Sequence, residues 1–142
     1  MAEPISSTAS MLAITTYAIQ SVESLNETVS RFRGRNRALN GLHNELDQLC
    51  NVLSSLKEVA RTESSLAAPL KRPINHCGQM CQEFEQTILS FNKSSETSFR
   101  DWAKLEFMRG DINEFTDTVS AYKSTIAVVL STITLYVCLL LS

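Results

Sequence analysis

SFRDWAKLEFMRGDINEFTDTVSAYKSTIAVVLSTI, residues Ser98–Ile133, is the stretch whose reading decides the fold. Leu105, Met108, Ile112, Phe115, Val119, Tyr122, Ile126, Val129 and Ile133 recur at alternating steps of three and four. That spacing keeps one apolar stripe on one face of a helix. Asp111, Glu114, Asp117 and Lys123 fall off the stripe, where water reaches them. Ser98 followed by Asp101 reads as a capping-box variant, a hydroxyl for an orphan amide and a carboxylate in the positive first turn. At about 1.5 Å per residue such a helix reaches roughly 50 Å. Only other helices bundled beside it can bury so long a seam.

The rest of the chain supplies them. Met11, Ile14, Ala18, Val22, Leu25, Val29 and Phe32 predict a first helix over residues 7–33, with Ser6, Ser7 and Thr8 as N-cap choices and Gly34 closing it. Leu39, Leu42, Leu46, Leu49, Leu53, Leu56 and Ala60 step by three and four without a miss and predict a second helix over 36–61. Such a heptad could pair with a second copy, but the further apolar helices in the chain favour an intramolecular bundle. Gly41 inside it predicts close packing or a frayed start. A short helical piece over 65–70 follows a joint at Thr62–Ser65. Pro73 then suits the first turn of a helix over 73–91, striped by Cys77, Cys81, Phe84, Ile88 and Phe91. The expected fold is all-α, a four- to five-helix bundle with a long C-terminal helix. Residues 1–130 form the bundle domain and 131–142 an apolar extension of the last helix.

Net charge is −2, which gives no bias toward nucleic acid. The first charge is Glu3, so no secretory n-region is read. The four cysteines, at 50, 77, 81 and 138, are therefore expected to be thiols packed as small hydrophobes in a reducing compartment. Two stretches, Pro4–Val22 and Ser124–Ser142, are free of charge and each 19 residues long. That is close to the ~20 residues that span a bilayer as a helix. The first, rich in Ser and Thr, reads as a buried helix, and the second as a tail anchor. Arg31, Arg33, Arg35 and Arg37 crowd the turn after the first helix. They read either as a solvated turn that complements the helix dipole or as a contact for anionic lipid headgroups.

Little points to catalysis. His76, Cys77 and Cys81 would need Cys50 or His43 to complete a zinc site, and the spacing does not require it. Cys77 and Cys81 lie on the apolar stripe, where a thiol is inert. Glu83 and Glu85 point to different faces, and no phosphate-binding glycine loop, nucleophile elbow or zinc-protease motif is present. Trp102 reads as a core anchor. The expectation is no enzyme, no cofactor, no metal, no small-molecule substrate and no nucleic acid.

Several blocks carry a resemblance: Ser98–Leu105 (SFRDWAKL), Asp111-Ile112, Tyr122–Ile126 (YKSTI), the opening Met1–Ile5 (MAEPI), the Leu-rich run Leu46–Leu56, and Cys77–Phe84 (CGQMCQEF). Together, over about residues 1–130, they resemble the N-terminal domain of fungal STAND (NOD-like receptor) proteins, a family named after the azaphilone pigment biosynthesis cluster protein L. The resemblance implies a HeLo-like helical bundle. It implies a signalling or effector role in fungal non-self recognition, including cell death through membrane permeabilisation by the N-terminal helix, and no biosynthetic activity. Carried onto this chain, it makes Ile5, Met11, Leu12, Ile14, Tyr17 and Ile19 the effector face, with Arg31, Arg33, Arg35 and Arg37 as its lipid-facing or partner-facing neighbours. The expected protein is cytoplasmic and joins membranes through the first helix or the apolar tail. Its partners are proteins, or further copies, docked on helical seams, and anionic membrane. Two alternatives stay open: a soluble adaptor or oligomerisation module, and a truncated STAND gene product with no role of its own. The chain carries no nucleotide-binding domain or repeats, and the apolar run after about Leu130 departs from the family pattern. That tail reads as an anchor or as translation of sequence normally spliced out.

Overall fold

The computed structural model describes residues 4–32, 37–92 and 109–141. Among these, only Glu63 lies outside a helix, and no strand occurs. Four long helices and one short one account for the fold: α1 Pro4–Phe32, α2 Arg37–Thr62, α3 Ser64–Ala67 continued by a 3-10 turn Ala68–Leu70, α4 Lys71–Asn92 and α5 Arg109–Leu141. The all-α expectation holds.

α2 follows the sequence reading most closely. All seven residues of its stripe, Leu39 through Ala60, are fully buried within the single chain. Each buried leucine contributes about 1.5–3 kcal/mol of transfer free energy, so this helix is the spine of the core. Gly41 is exposed and nothing lies within 4 Å of the place a Cβ would occupy. Its expected close packing is therefore absent. The close approach is at Gly78 on α4, where an added Cβ would stand 2.6 Å from Tyr17 Cε2 and 3.3 Å from Ala18 Cα of α1.

α1 starts at Pro4, so Ser6, Ser7 and Thr8 lie inside the helix and do not cap it. Proline fits the first helical turn, where its missing N–H has no partner to lose. Thr15 and Thr28 join Met11, Ala18, Val22, Leu25 and Val29 in the core. Thr15 tolerates full burial because its hydroxyl donates to the Met11 carbonyl one turn back, at 2.7 Å. Between α2 and α3, the Glu63 amide still donates to the Val59 carbonyl, while the Leu66 and Ala67 amides donate to the Glu63 carbonyl. The chain thus turns a corner without leaving these groups unpaired. α5 buries Ile112, Phe115, Val119, Ile126 and Ile133 and half-buries Tyr122 and Val129. It runs unbroken to Leu141, so the apolar tail is a continuation of the last helix. The Ser98/Asp101 cap, Trp102, Leu105, Met108 and Gly34 lie outside the described residues.

Side-chain contacts fix the arrangement. Asn26 to Asp47 and Cys50 to Glu23 make α1 and α2 antiparallel neighbours. Tyr17 to Gln82 and Ser24 to Glu85 make α1 and α4 parallel. Lys123 reaches Gln48 and Glu45, and Ile133 and Val137 share a groove with Val59 and Thr62, so α5 runs parallel to α2. His76 contacts Tyr122, and Phe84 stacks on Phe115 with ring centroids 4.0 Å apart, making α4 and α5 antiparallel. Around the bundle the order is α1, α2, α5, α4. α3 carries the chain across the diagonal from α2 to α4.

Candidate functional site

α5 has two unlike halves. Asp111, Glu114, Asp117 and Lys123 mark the first, whereas Ser124–Leu141 carries no charge. The helix is apolar enough to cross a membrane, with an 18-residue window of mean hydropathy 2.2, yet only 11% of that window is buried. At about 1.5 Å per residue the window is about 27 Å long, against a hydrocarbon core of about 30 Å. Ile126 and Ile133 are its buried residues. Val128, Leu135, Tyr136, Leu139, Leu140 and Leu141 are each at least half exposed, Leu141 at 83%. Large contiguous apolar surfaces are uncommon on soluble monomers and mark contact sites.

Local chemistry suits an apolar surrounding. The Thr132 hydroxyl donates to the Val128 carbonyl at 2.9 Å, keeping the polar group satisfied inside the helix. Two shallow grooves flank the segment. One, about 260 Å³, is lined by Leu66, Val129, Thr132, Ile133 and Tyr136. The other, about 190 Å³, runs along Val59, Thr62, Glu63, Ile133, Thr134, Val137 and Cys138. Where the charged half ends, Lys123 donates to Gln48 Oε1 at 2.6 Å and stands 2.8 Å from Glu45 Oε2. That carboxylate oxygen accepts no aligned hydrogen bond, so its attraction to Lys123 is charge on charge.

The residues singled out on α1 are arranged differently. Met11 is buried, and Leu12, Ile14 and Ile19 pack half-buried against the core. Tyr17 lies over Gly78 and donates its hydroxyl to Gln82 Oε1 at 3.0 Å. Ile5 belongs to the helix, but its side chain lies outside the described residues. Arg31 is exposed beside Glu27 at 3.5 Å, and Arg37 is exposed at the start of α2. Arg33 and Arg35 lie outside the described residues. Arg31 stands twenty residues along α1 from Met11, roughly 30 Å away. Because α1 opposes α2 and α2 parallels α5, Arg31 and Arg37 are at the far end of the bundle from the apolar end of α5. The structure does not bring Arg31 and Arg37 together with the exposed apolar surface of α5.

The cysteines divide by burial. Cys77 and Cys81 are buried, Cys50 is half-buried and Cys138 is exposed. A hydrogen bond to Cys77, with burial, pushes the Cys81 thiol above its ordinary range. Burial, with Glu23 beside it, pushes Cys50 up too. Such thiols react slowly. Among the described residues no three His, Cys, Asp or Glu side chains converge as metal ligands would. A polar cluster that periodicity does not reveal joins α1 to α2: Asn26 Nδ2 donates to Asp47 Oδ1 at 2.6 Å, and His43 Nδ1 is 2.7 Å from Asn26 Oδ1. It pins the register of the two helices.

The class these features define is an all-α bundle whose last helix ends in an uncharged apolar half, packed on one face and exposed on the other. The family described as "pigment biosynthesis cluster protein PigL N-terminal" matches residues 2–139, and the chain belongs to it. The match extends into the apolar tail and does not stop at Leu130. No curated protein and no solved structure matches the chain.

Proposed function

We propose that this chain is a non-enzymatic signalling or effector module that joins a membrane through the second half of α5. The observation that carries the reading is the uncharged, membrane-length window of which only 11% is buried, with Val128, Leu135, Tyr136, Leu139, Leu140 and Leu141 exposed. The family description, which names an N-terminal segment, supports a module that works in front of further domains, and in this reading those domains are of the NOD-like receptor type. In this reading the bundle is the signalling body and α5 places it at the lipid surface. α1 is held in the core at rest, and an effector role for its Met11–Ile19 face would need a trigger that frees it. A soluble adaptor would use the same grooves beside Ile133 to bind a helix.

Flotation with phosphatidylcholine/phosphatidylserine vesicles separates these readings. The chain should float, and Leu135→Glu/Leu139→Glu should stay at the bottom with its helical circular dichroism intact. A chain that never floats, or a double variant that floats as well as the parent, overturns the membrane reading.

A further inference from the structure

We infer that α2 and the lipid bilayer compete for one stripe of α5, so that membrane insertion opens the bundle. The inference rests on the membrane reading above and asks what insertion must do to the fold. Ile126, Val129, Ile133 and Val137 recur at steps of three and four along α5. Ile126 and Ile133 are buried, and Val129 and Val137 pack against the core. This is the side on which α5 runs parallel to α2, with Val59 and Thr62 lining a groove beside Ile133 and Val137.

α2 cannot follow α5 into lipid. Ser54, Ser55, Glu58 and Arg61 are exposed on its last turns, and Arg61 pairs with Glu58 at 3.4 Å. Charged groups at the bilayer centre are costly, and those of α2 would face hydrocarbon on its open side. A span formed by Ser124–Leu141 must therefore leave α2. The departure gives up the packing of Ile126, Val129, Leu130, Ile133 and Val137 on the bundle, which burial of the whole segment in hydrocarbon must offset.

The division point is visible. Lys123 is the last charge of the chain and holds α5 to α2 through Gln48 and Glu45. A lysine at the start of a span lies at the level of the headgroups, where cationic side chains are favoured. Before it, the Phe84–Phe115 stack and the His76–Tyr122 contact hold the first half of α5 to α4. α5 thus has a fixed half and a releasable half, with the Lys123 contacts as the latch between them. Release would uncover the apolar stripe at the end of α2, Leu53, Leu56 and Ala60, which is fully buried while α5 is docked.

Cross-linking tests this. Val59→Cys/Val137→Cys is prepared with Cys50→Ser and Cys138→Ser, leaving the buried Cys77 and Cys81 in place. A short bismaleimide then joins α2 to α5. Vesicles of phosphatidylcholine and phosphatidylserine are floated and washed with carbonate. Competition predicts that the unlinked protein resists the wash and the linked protein is lost from the vesicles. Equal resistance of the two forms overturns competition and leaves the membrane reading standing. Failure of both forms to float overturns the membrane reading and this inference with it. A second variant does not depend on the cross-link. Glu45→Gln weakens the latch and should raise carbonate-resistant binding about two- to fivefold, the range expected for a partly exposed ion pair. Unchanged or weaker binding contradicts the latch.

Discussion

Gly41 and Gly78 predict opposite responses to the same substitution. Gly41 and Gly78 both lie in helix interiors, where alanine is favoured over glycine by about 0.8–1 kcal/mol. At Gly41 a new Cβ meets nothing within 4 Å. Gly41→Ala should therefore stabilise the fold by about 0.5–1 kcal/mol. At Gly78 the same Cβ would stand 2.6 Å from Tyr17 Cε2, 3.0 Å from Tyr17 Cδ2 and 3.3 Å from Ala18 Cα. The tyrosine ring must swing away, breaking its hydrogen bond to Gln82 at a cost of about 0.5–1.5 kcal/mol. The α1 backbone at Ala18 must also give by a few tenths of an ångström, and overpacking of this kind costs about 1–3 kcal/mol. Set against the propensity gain, Gly78→Ala should destabilise by about 0.5–3.5 kcal/mol. Urea denaturation followed by circular dichroism at 222 nm reads both. A Tyr17→Ala background separates the causes. There the ring contact is gone, and the cost of Gly78→Ala should fall by more than half. If Gly78→Ala stabilises as Gly41→Ala does, α1 and α4 do not approach as described. If its cost is unchanged without Tyr17, the ring is not the obstacle.

Other outcomes follow from the same packing. Leu53→Ala, in the fully buried stripe of α2, should cost about 2–5 kcal/mol in urea denaturation. Thiol titration with a maleimide should label Cys138 first, Cys50 slowly, and Cys77 and Cys81 only on unfolding, following their exposure. Burial raises the pKa of Cys50 and of Tyr122 in the folded chain. Their neutral forms are favoured by folding, so that stability is complete below the unfolded-state values and is lost as pH rises through the folded ones. Denaturation midpoints should accordingly fall above about pH 8.5, where an unfolded thiol ionises, and Cys50→Ala should make that fall shallower without abolishing it, because the buried Cys81 thiol is held neutral too.

Much of the fold could be read from periodicity, and the physical reason is local. Seven positions of α2 step without a miss, and all seven are buried, because a single stripe facing two neighbours needs no further information. What the period left out depends on which stripe meets which. It did not distinguish the open space at Gly41 from the crowding at Gly78, since both are glycines inside helices. It passed over Thr15 and Thr28, whose burial in α1 a hydropathy pattern does not register. It also put the start of α1 at the hydroxyl residues, although Pro4 opens the helix.

The candidate site was legible in one half. An uncharged Ser124–Ser142 run announces itself, but its exposure depends on the lengths and placement of α2, α3 and α4. The arginines and the effector face of α1 were grouped by nearness in sequence. A helix about 44 Å long separates its two ends, and Arg31 at the close of α1 stands far from the apolar end of α5. Nothing in a one-dimensional pattern gives the parallel pairing of α2 with α5 either. It comes from α3 crossing the bundle diagonal.

Fractionation in a fungal host tests the central claim most directly, comparing the whole chain with one stopped after Leu130. The account predicts that the whole chain pellets with membranes and resists carbonate, while the shortened chain stays in the supernatant with its helical content retained. A whole chain that remains soluble, or a shortened chain that pellets as firmly, would contradict it.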